Sequence, residues 1–276
     1  MDQKMRDKKA YNLSFSYLIK YGKSKGVTKK LINKYLHFPE HTQRPDNVAG
    51  IYQQLLSSAQ NANMKAGVIG KAIGGVENLG KVLFRFNPLK VLHKYGAEWE
   101  RLLDDIEAQL APHGKVRRKN NSIWPKYCQT ILSATPFMSK FSSARDFYGW
   151  IDSLYHDEKT RVALPILISN EIDGIGFALA CDFLKELGYA DFGKPDIHIK
   201  QIFKGLELCE RRANDYHVHQ AILRIAKNVR KTPYNVDKLF WLIGSGNFYD
   251  DPHIGKKGKI GSLKKGFITY ARRHLV

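Results

Sequence analysis

An amine, an acid and an imidazole meet within five residues at Lys194, Asp196 and His198, with Pro195 directly before the acid. An aspartate after a proline at a helix start is first of all an N-cap, because its oxygen satisfies an amide that the helix leaves unpaired. The same carboxylate can stabilise positive charge developing on a substrate, or orient and deprotonate a water. A helix N-terminus favours its ionised form at neutral pH. Upstream, Gly174 and Gly176 flank the single apolar Ile175 and lead through Phe177 into a helical pattern. A helix entered through such a turn points backbone N–H groups outward and is a seat for phosphate. Lys115, Arg117, Arg118 and Lys119 fill four of five positions in a polar loop, a composition suited to meeting phosphates. Trp124, Tyr127 and Trp241 have faces on which a base can stack, although large aromatics in a helical protein are more often core fillers.

These residues need helices to place them. Ala180, Phe183, Leu184 and Leu187 recur at the spacing of a buried stripe, and Gly188 supplies the stop. Asp196 opens the next helix, with Ile199, Ile202, Phe203 and Leu206 on one side. Before the hairpin, residues 158–171 form its first arm, with Pro165 kinking the helix or moving its start to about that point. A helix from Asp46 carries Val48, Ile51, Tyr52, Leu55, Leu56 and Ala59 on its inner face and closes on Gln60 and Asn61. Helical patterns also cover residues 12–21, 28–36, 68–73, 76–84, 88–95, 99–110, 142–155, 217–229 and 236–244. The Gly- and Lys-rich stretch from residue 251 reads as a flexible basic tail. No internal repeat and no strand alternation interrupts the pattern, so the fold class is all-α.

At 276 residues the chain can bury one or two cores, and its net charge of +19 points to a polyanion, with nucleic acid as the default partner. The excess is clustered. Residues 1–50 hold 11 Lys/Arg against 4 Asp/Glu, residues 112–145 hold 7 against none, and residues 251–276 hold 7 against 1. Cys128, Cys181 and Cys209 are few and scattered, which argues against a disulfide framework and for a reducing compartment. The charged opening is no secretory signal and no apolar run reaches a membrane span, so the expectation is a soluble intracellular protein, cytoplasmic or nucleoid-associated.

The order of these features resembles the helix-hairpin-helix DNA glycosylases, the superfamily of endonuclease III and of the adenine, 8-oxoguanine and alkyladenine glycosylases. The family hairpin, apolar-x-Gly-apolar-Gly-x-x-x-Ala, is matched from Ile172 to Ala180, and its Asp-x-His-apolar run by Asp196, Ile197, His198 and Ile199. From Ala178, at the hairpin's variable catalytic position, to Asp196 is 18 residues, the family interval. The Leu-Leu-Ser-Ser-Ala-Gln run at 55–60 is similar to a segment near the start of endonuclease III.

The resemblance implies a DNA base-excision enzyme that flips an altered base out of duplex DNA and breaks its N-glycosidic bond. Asp196 takes the catalytic role, and the backbone at Gly174, Ile175, Gly176 and Phe177 anchors the DNA, helped by a monovalent cation, K+ or Na+, on hairpin carbonyls. Gln60, with Asn61 beside it, fills the gap left in the duplex, and Trp124, Tyr127 and Trp241 line the base pocket. Two helical subdomains follow, 1–55 with 192–276 and 56–191, with the hairpin at their interface and the active-site cleft between them. The cysteine spacing does not fit the iron–sulfur loop of some relatives, so no cluster is expected, and the protein is expected to act as a monomer on double-stranded DNA. Bifunctional relatives carry a lysine where Ala178 stands, which implies a monofunctional enzyme that uses water. The alternatives are a glycosylase/AP lyase using a lysine from outside that position, with Lys194 the candidate, and a non-catalytic hairpin protein that only binds DNA. A protein that uses the same basic face on RNA is a third.

Overall fold

The computed structural model describes residues 2–39, 44–61, 67–249 and 251–275. Among these, every regular element is helical and β-pairing is limited to isolated bridges between 247 and 259. The chain opens with α1 (Gln3–Gly22) and α2 (Lys29–Leu36). It continues through α3 (Val48–Ala59), α4 (Val68–Ile73), α5 (Pro88–Tyr95), α6 (Trp99–Leu110), α7 (Ile123–Ser139), α8 (Ala144–Tyr155), α9 (Ala163–Glu171) and α10 (Phe177–Glu186). It closes with α11 (Ile197–Gly205), α12 (Asp215–Val229), α13 (Pro233–Ser245) and α14 (Lys264–His274). No described helix is long and apolar enough to cross a membrane.

The helices fall into two compact units, residues 1–41 with 189–276, and residues 42–188. Residues 42–55, expected with the termini, lie in the middle unit, and residues 189–191 lie with the termini. The first shift has a packing reason. Tyr52 of α3 donates its hydroxyl to the Ile131 carbonyl of α7 at 2.7 Å, and Tyr127 of α7 donates back to the Leu56 carbonyl at 3.0 Å.

In the terminal unit, α13 is the packing centre, touching α1, α2, α11, α12 and α14. Val236, Leu239, Phe240, Leu242 and Ile243 are fully buried along it. Helix α1 begins nine residues earlier than its apolar periodicity predicts, capped by Asp2, whose carboxylate accepts the Met5 amide. The polar first half is fixed by a buried acid: Asp7 accepts from Arg224 Nε at 2.9 Å and from Asn228 Nδ2 at 2.7 Å. Such a pair holds two helices in register, because a buried charge is tolerated only with its partners in place. Part of the expected flexible tail is the helix α14, whose Phe267 and Ala271 are buried and whose Phe267 ring meets Tyr17 of α1 at 5.3 Å. A glycine-rich count hides a short amphipathic stripe.

Candidate functional site

The hairpin belongs to the middle unit and consists of α9, the turn 172–176, and α10. The turn closes on itself, with the Ile175 amide donating to the Ile172 carbonyl at 3.1 Å. Ile175 is 1 % exposed and anchors the turn in the core, so only its backbone is available outside. The two glycines do different work. Gly174 has φ +84°, and a Cβ there would stand 2.0 Å from Thr130 Oγ1 of α7. One residue earlier, the Asp173 amide donates to Ser133 Oγ at 2.8 Å, so α7 holds the turn at two adjacent positions. Gly176 has an ordinary φ of −79° and nothing within 4 Å of where its Cβ would be. It is exposed, it is the N-cap of α10, and no side chain caps that helix. Eight other helices here carry a side-chain N-cap, at Asp2, Thr28, Asn47, Asn87, Ser143, Asp196, Asn214 and Thr232. The start of α10 thus lacks a side-chain cap, as do the starts of α4, α6, α7, α9 and α14. Ala178 and Phe177 are half-buried on its first turn.

The polar candidates of this unit are more engaged than their types suggest. Gln60 accepts the Gly70 amide at 3.0 Å and donates to the Ser57 carbonyl at 3.2 Å, and Asn61 accepts the Gly67 amide at 3.1 Å. Both side chains therefore tie the end of α3 to α4. Arg118 pairs with Asp104 at 2.6 Å and with Glu107, both on α6, whereas Lys115, Arg117 and Lys119 are exposed. Trp124 and Tyr127, expected as walls for an extruded base, are buried in the core of this unit. Tyr127 spends its hydroxyl on the Leu56 carbonyl, and burial pushes that hydroxyl's pKa up. Both stand on the inner face of α7, where large rings fill space between helices.

Asp196 belongs to the terminal unit and ends a segment pinned from two helices. The Ala190 carbonyl accepts the Tyr234 amide at 3.0 Å, the Gly193 carbonyl meets His219 Nδ1 at 3.0 Å, and the Lys194 amide donates to Asp237 Oδ2 at 3.0 Å. Gly193 is required by close approach, since a Cβ there would lie 2.7 Å from Ile222 Cγ2. The Asp196 amide then turns back onto the Lys194 carbonyl at 2.8 Å and α11 begins.

The two oxygens of Asp196 divide the work. Oδ1 accepts the His198 amide at 2.8 Å and the Ile199 amide at 2.9 Å, which is the N-cap. Among the described residues Oδ2 has no hydrogen-bond partner. Capping and chemistry therefore do not compete for the same atom. The expectation that the helix start favours the ionised form is corrected: the Asp196 pKa lies above the usual carboxylate value. Burial is the largest cause and the Asp237 carboxylate adds to it, while the Ile199 amide, His198 and Lys194 oppose them. His198 is held below the usual imidazole range, first by burial, and its Nδ1 is buried with no hydrogen-bond partner among the described residues. Its ring lies against Gly244 of α13, where a Cβ would come within 2.5 Å of the His198 Cβ. It braces α11 on α13.

Asp237, Trp241 and Gly244 stand at i, i+4 and i+7 on α13, one stripe of the helix. Asp237 reaches the Lys194 amide and Gly244 meets His198, so Trp241 lies on the side that faces the Asp196 segment. Its ring stacks on Tyr249 at 5.2 Å, and Tyr249 stacks on Tyr35 at 5.9 Å. The Lys238 ammonium lies over Tyr234, Trp241 and Tyr249 at 5.2, 5.2 and 4.7 Å. Tyr249, the middle ring of the stack, is 56 % exposed. Trp241 is a residue expected from the sequence; Asp237, Lys238, Tyr249 and Tyr35, which the structure brings beside it, were not among the candidates. The available signal was a charged pair, Asp237 and Lys238, inside an otherwise apolar helix.

The fold has a counterpart. The chain is similar to the crystal structure of the 8-oxoguanine glycosylase/lyase of Methanocaldococcus jannaschii in complex with a 15mer DNA containing 8-oxoguanine, with a TM-score of 0.50 and 16 % identity over 82 % of this chain and 96 % of that one. At that identity the likeness is one of fold, and it is the helical fold that the hairpin motif implied. No family model matches the sequence, and no curated protein matches it.

Proposed function

We propose that this protein is a DNA base-excision glycosylase that hydrolyses the N-glycosidic bond of an altered base flipped out of duplex DNA. The observation that carries the reading is Asp196 Oδ2, left outside the cap of α11 in a segment held by α12 and α13. As the glycosidic bond breaks, positive charge develops on the sugar, and a carboxylate oxygen fixed beforehand stabilises it or takes a proton from the attacking water. The uncapped start of α10 and the open approach at Gly176 suit a backbone phosphate. A K+ or Na+ ion on the carbonyls of the exposed Asp173–Gly174 turn belongs to the same reading; main-chain oxygens suit a weakly held monovalent ion. The stack of Trp241 and Tyr249 is the base-facing surface, replacing Trp124 and Tyr127 in that role. The partner is double-stranded DNA, bound by a monomer in the cytoplasm or at the nucleoid.

Ala178 in place of a lysine supports a monofunctional reaction that ends at the abasic site. Lys194 is the amine that would make it bifunctional, and its amide is fixed to Asp237 in the same turn as Asp196. The deciding experiment incubates the chain with duplexes that each carry one altered base, 8-oxoguanine first, and reveals abasic sites with alkali. Excision by wild type and its loss in Asp196→Asn is the expected result. Equal activity of the two overturns the assignment. Borohydride trapping of a protein–DNA adduct that disappears in Lys194→Ala overturns the monofunctional part alone.

A further inference from the structure

We infer that Asp237 is a positioning residue for Asp196, fixing through the Lys194 amide the turn that presents it and setting a second carboxylate against that turn. This rests on the glycosylase reading. Asp237 is 3 % exposed on the second turn of α13, and the first thing its carboxylate does is accept the Lys194 amide at 3.0 Å. Lys194 is two residues before Asp196, and its own carbonyl receives the Asp196 amide at 2.8 Å. The Lys194–Pro195 segment thus lies between the two carboxylates, bonded to Asp237 at its start and followed by the acid at its end.

The hydrogen bond alone does not call for an aspartate. An asparagine at 237 would offer the same acceptor oxygen without the cost of a buried charge. What the carboxylate adds is its charge, set against the turn that carries a second, half-buried carboxyl. A like charge in such surroundings disfavours the ionised form of Asp196. The groups facing Asp196 are Asp237 from α13, Lys194 from the turn and His198 from its own helix. Lys264 of α14 acts on His198 in turn, and His219 of α12 is engaged with the Gly193 carbonyl. Asp237 is the only one of these that opposes ionisation of Asp196. A carboxylate whose pKa is raised is a better acceptor for the proton of an attacking water, because its basicity is closer to the working pH.

Two variants separate the bond from the charge. Asp237→Asn keeps the acceptor and removes the charge; Asp237→Ala removes both. In single-turnover excision, Asp237→Asn retains most of the plateau rate, with the acid limb of the pH profile moved to lower pH. Asp237→Ala loses tenfold or more in plateau rate, on the order of what a misplaced catalytic group costs, while DNA affinity stays within about twofold, since no phosphate contact is touched. A second readout needs no DNA: the 13C chemical shift of the Asp196 carboxyl, titrated in the full chain, has a lower midpoint in Asp237→Asn than in wild type. An unchanged midpoint overturns the proposal, as does an acid limb that does not move. If wild type excises no base from any duplex, the glycosylase reading fails, and the carboxyl titration still decides whether Asp237 sets the ionisation of Asp196.

Discussion

Gly174 and Thr130 occupy each other's space: the Cβ that any other residue would bring to position 174 falls 2.0 Å from Thr130 Oγ1. With φ at +84°, the position is closed to side chains by conformation as well as by contact. Gly176, two residues on, is closed by neither.

That difference gives the first prediction. Gly174→Ala strains the turn and lowers both the melting temperature and duplex DNA affinity, with a stability cost of about 1–3 kcal/mol. Gly176→Ala leaves the melting temperature within about 1 °C, since its effect on folding is small, and weakens DNA binding all the same. Thermal unfolding and fluorescence anisotropy on one duplex check both. Unchanged DNA affinity in Gly176→Ala would remove the hairpin from the binding surface.

Asp196→Asn separates activity from stability. Because the folded-state pKa is raised, the ionised carboxyl is less favourable in the native chain than in the unfolded one, so this group's contribution is full at low pH and lost as pH rises through the folded value. Asparagine caps a helix about as well as aspartate and carries no charge. The variant is therefore expected to melt at or above the wild-type temperature at neutral pH, with the gap closing on acidification, while excision falls by roughly 10²–10⁴-fold. Thermal melts across pH, run beside alkali-developed excision assays, test it.

The basic loop divides by partner. Lys115, Arg117 and Lys119 are exposed, and each change to alanine should reduce the salt slope of DNA binding by about 1. Arg118 already pairs with Asp104 and Glu107, and Arg118→Ala should leave that slope nearly unchanged. Affinity measured from low to moderate salt distinguishes the four positions, and a full unit lost in Arg118→Ala would show that its pairing breaks when DNA arrives.

Gln60 must leave the Gly70 amide and the Ser57 carbonyl if it enters the duplex. Gln60→Ala then has two signatures. Stability drops by about 1 kcal/mol, the worth of the lost hydrogen bonds, and the rise in 2-aminopurine fluorescence that reports an extruded neighbour becomes smaller. A stability loss with unchanged fluorescence assigns Gln60 to the α3–α4 link alone.

Sequence by itself determined the elements whose cause is local. Gly174, Gly176 and Gly188 set the hairpin, Asp196 capped its helix as its type predicts, and three-four spacing placed most helices, because turn geometry, capping and amphipathic periodicity act within a few residues. The helix α14 escaped notice because two buried positions, Phe267 and Ala271, are too few to dominate a lysine-rich stretch. Tertiary structure alone decided which polar groups remain available. Trp124 and Tyr127 went to the core, Arg118 to α6 and Gln60 to Gly70, since burial and pairing depend on neighbours distant in the chain. It also reversed the expected direction of the Asp196 pKa shift. A helix start acts over one turn, but the burial and the Asp237 charge that outweigh it come from α13, some forty residues along the sequence and directly beside Lys194 in space.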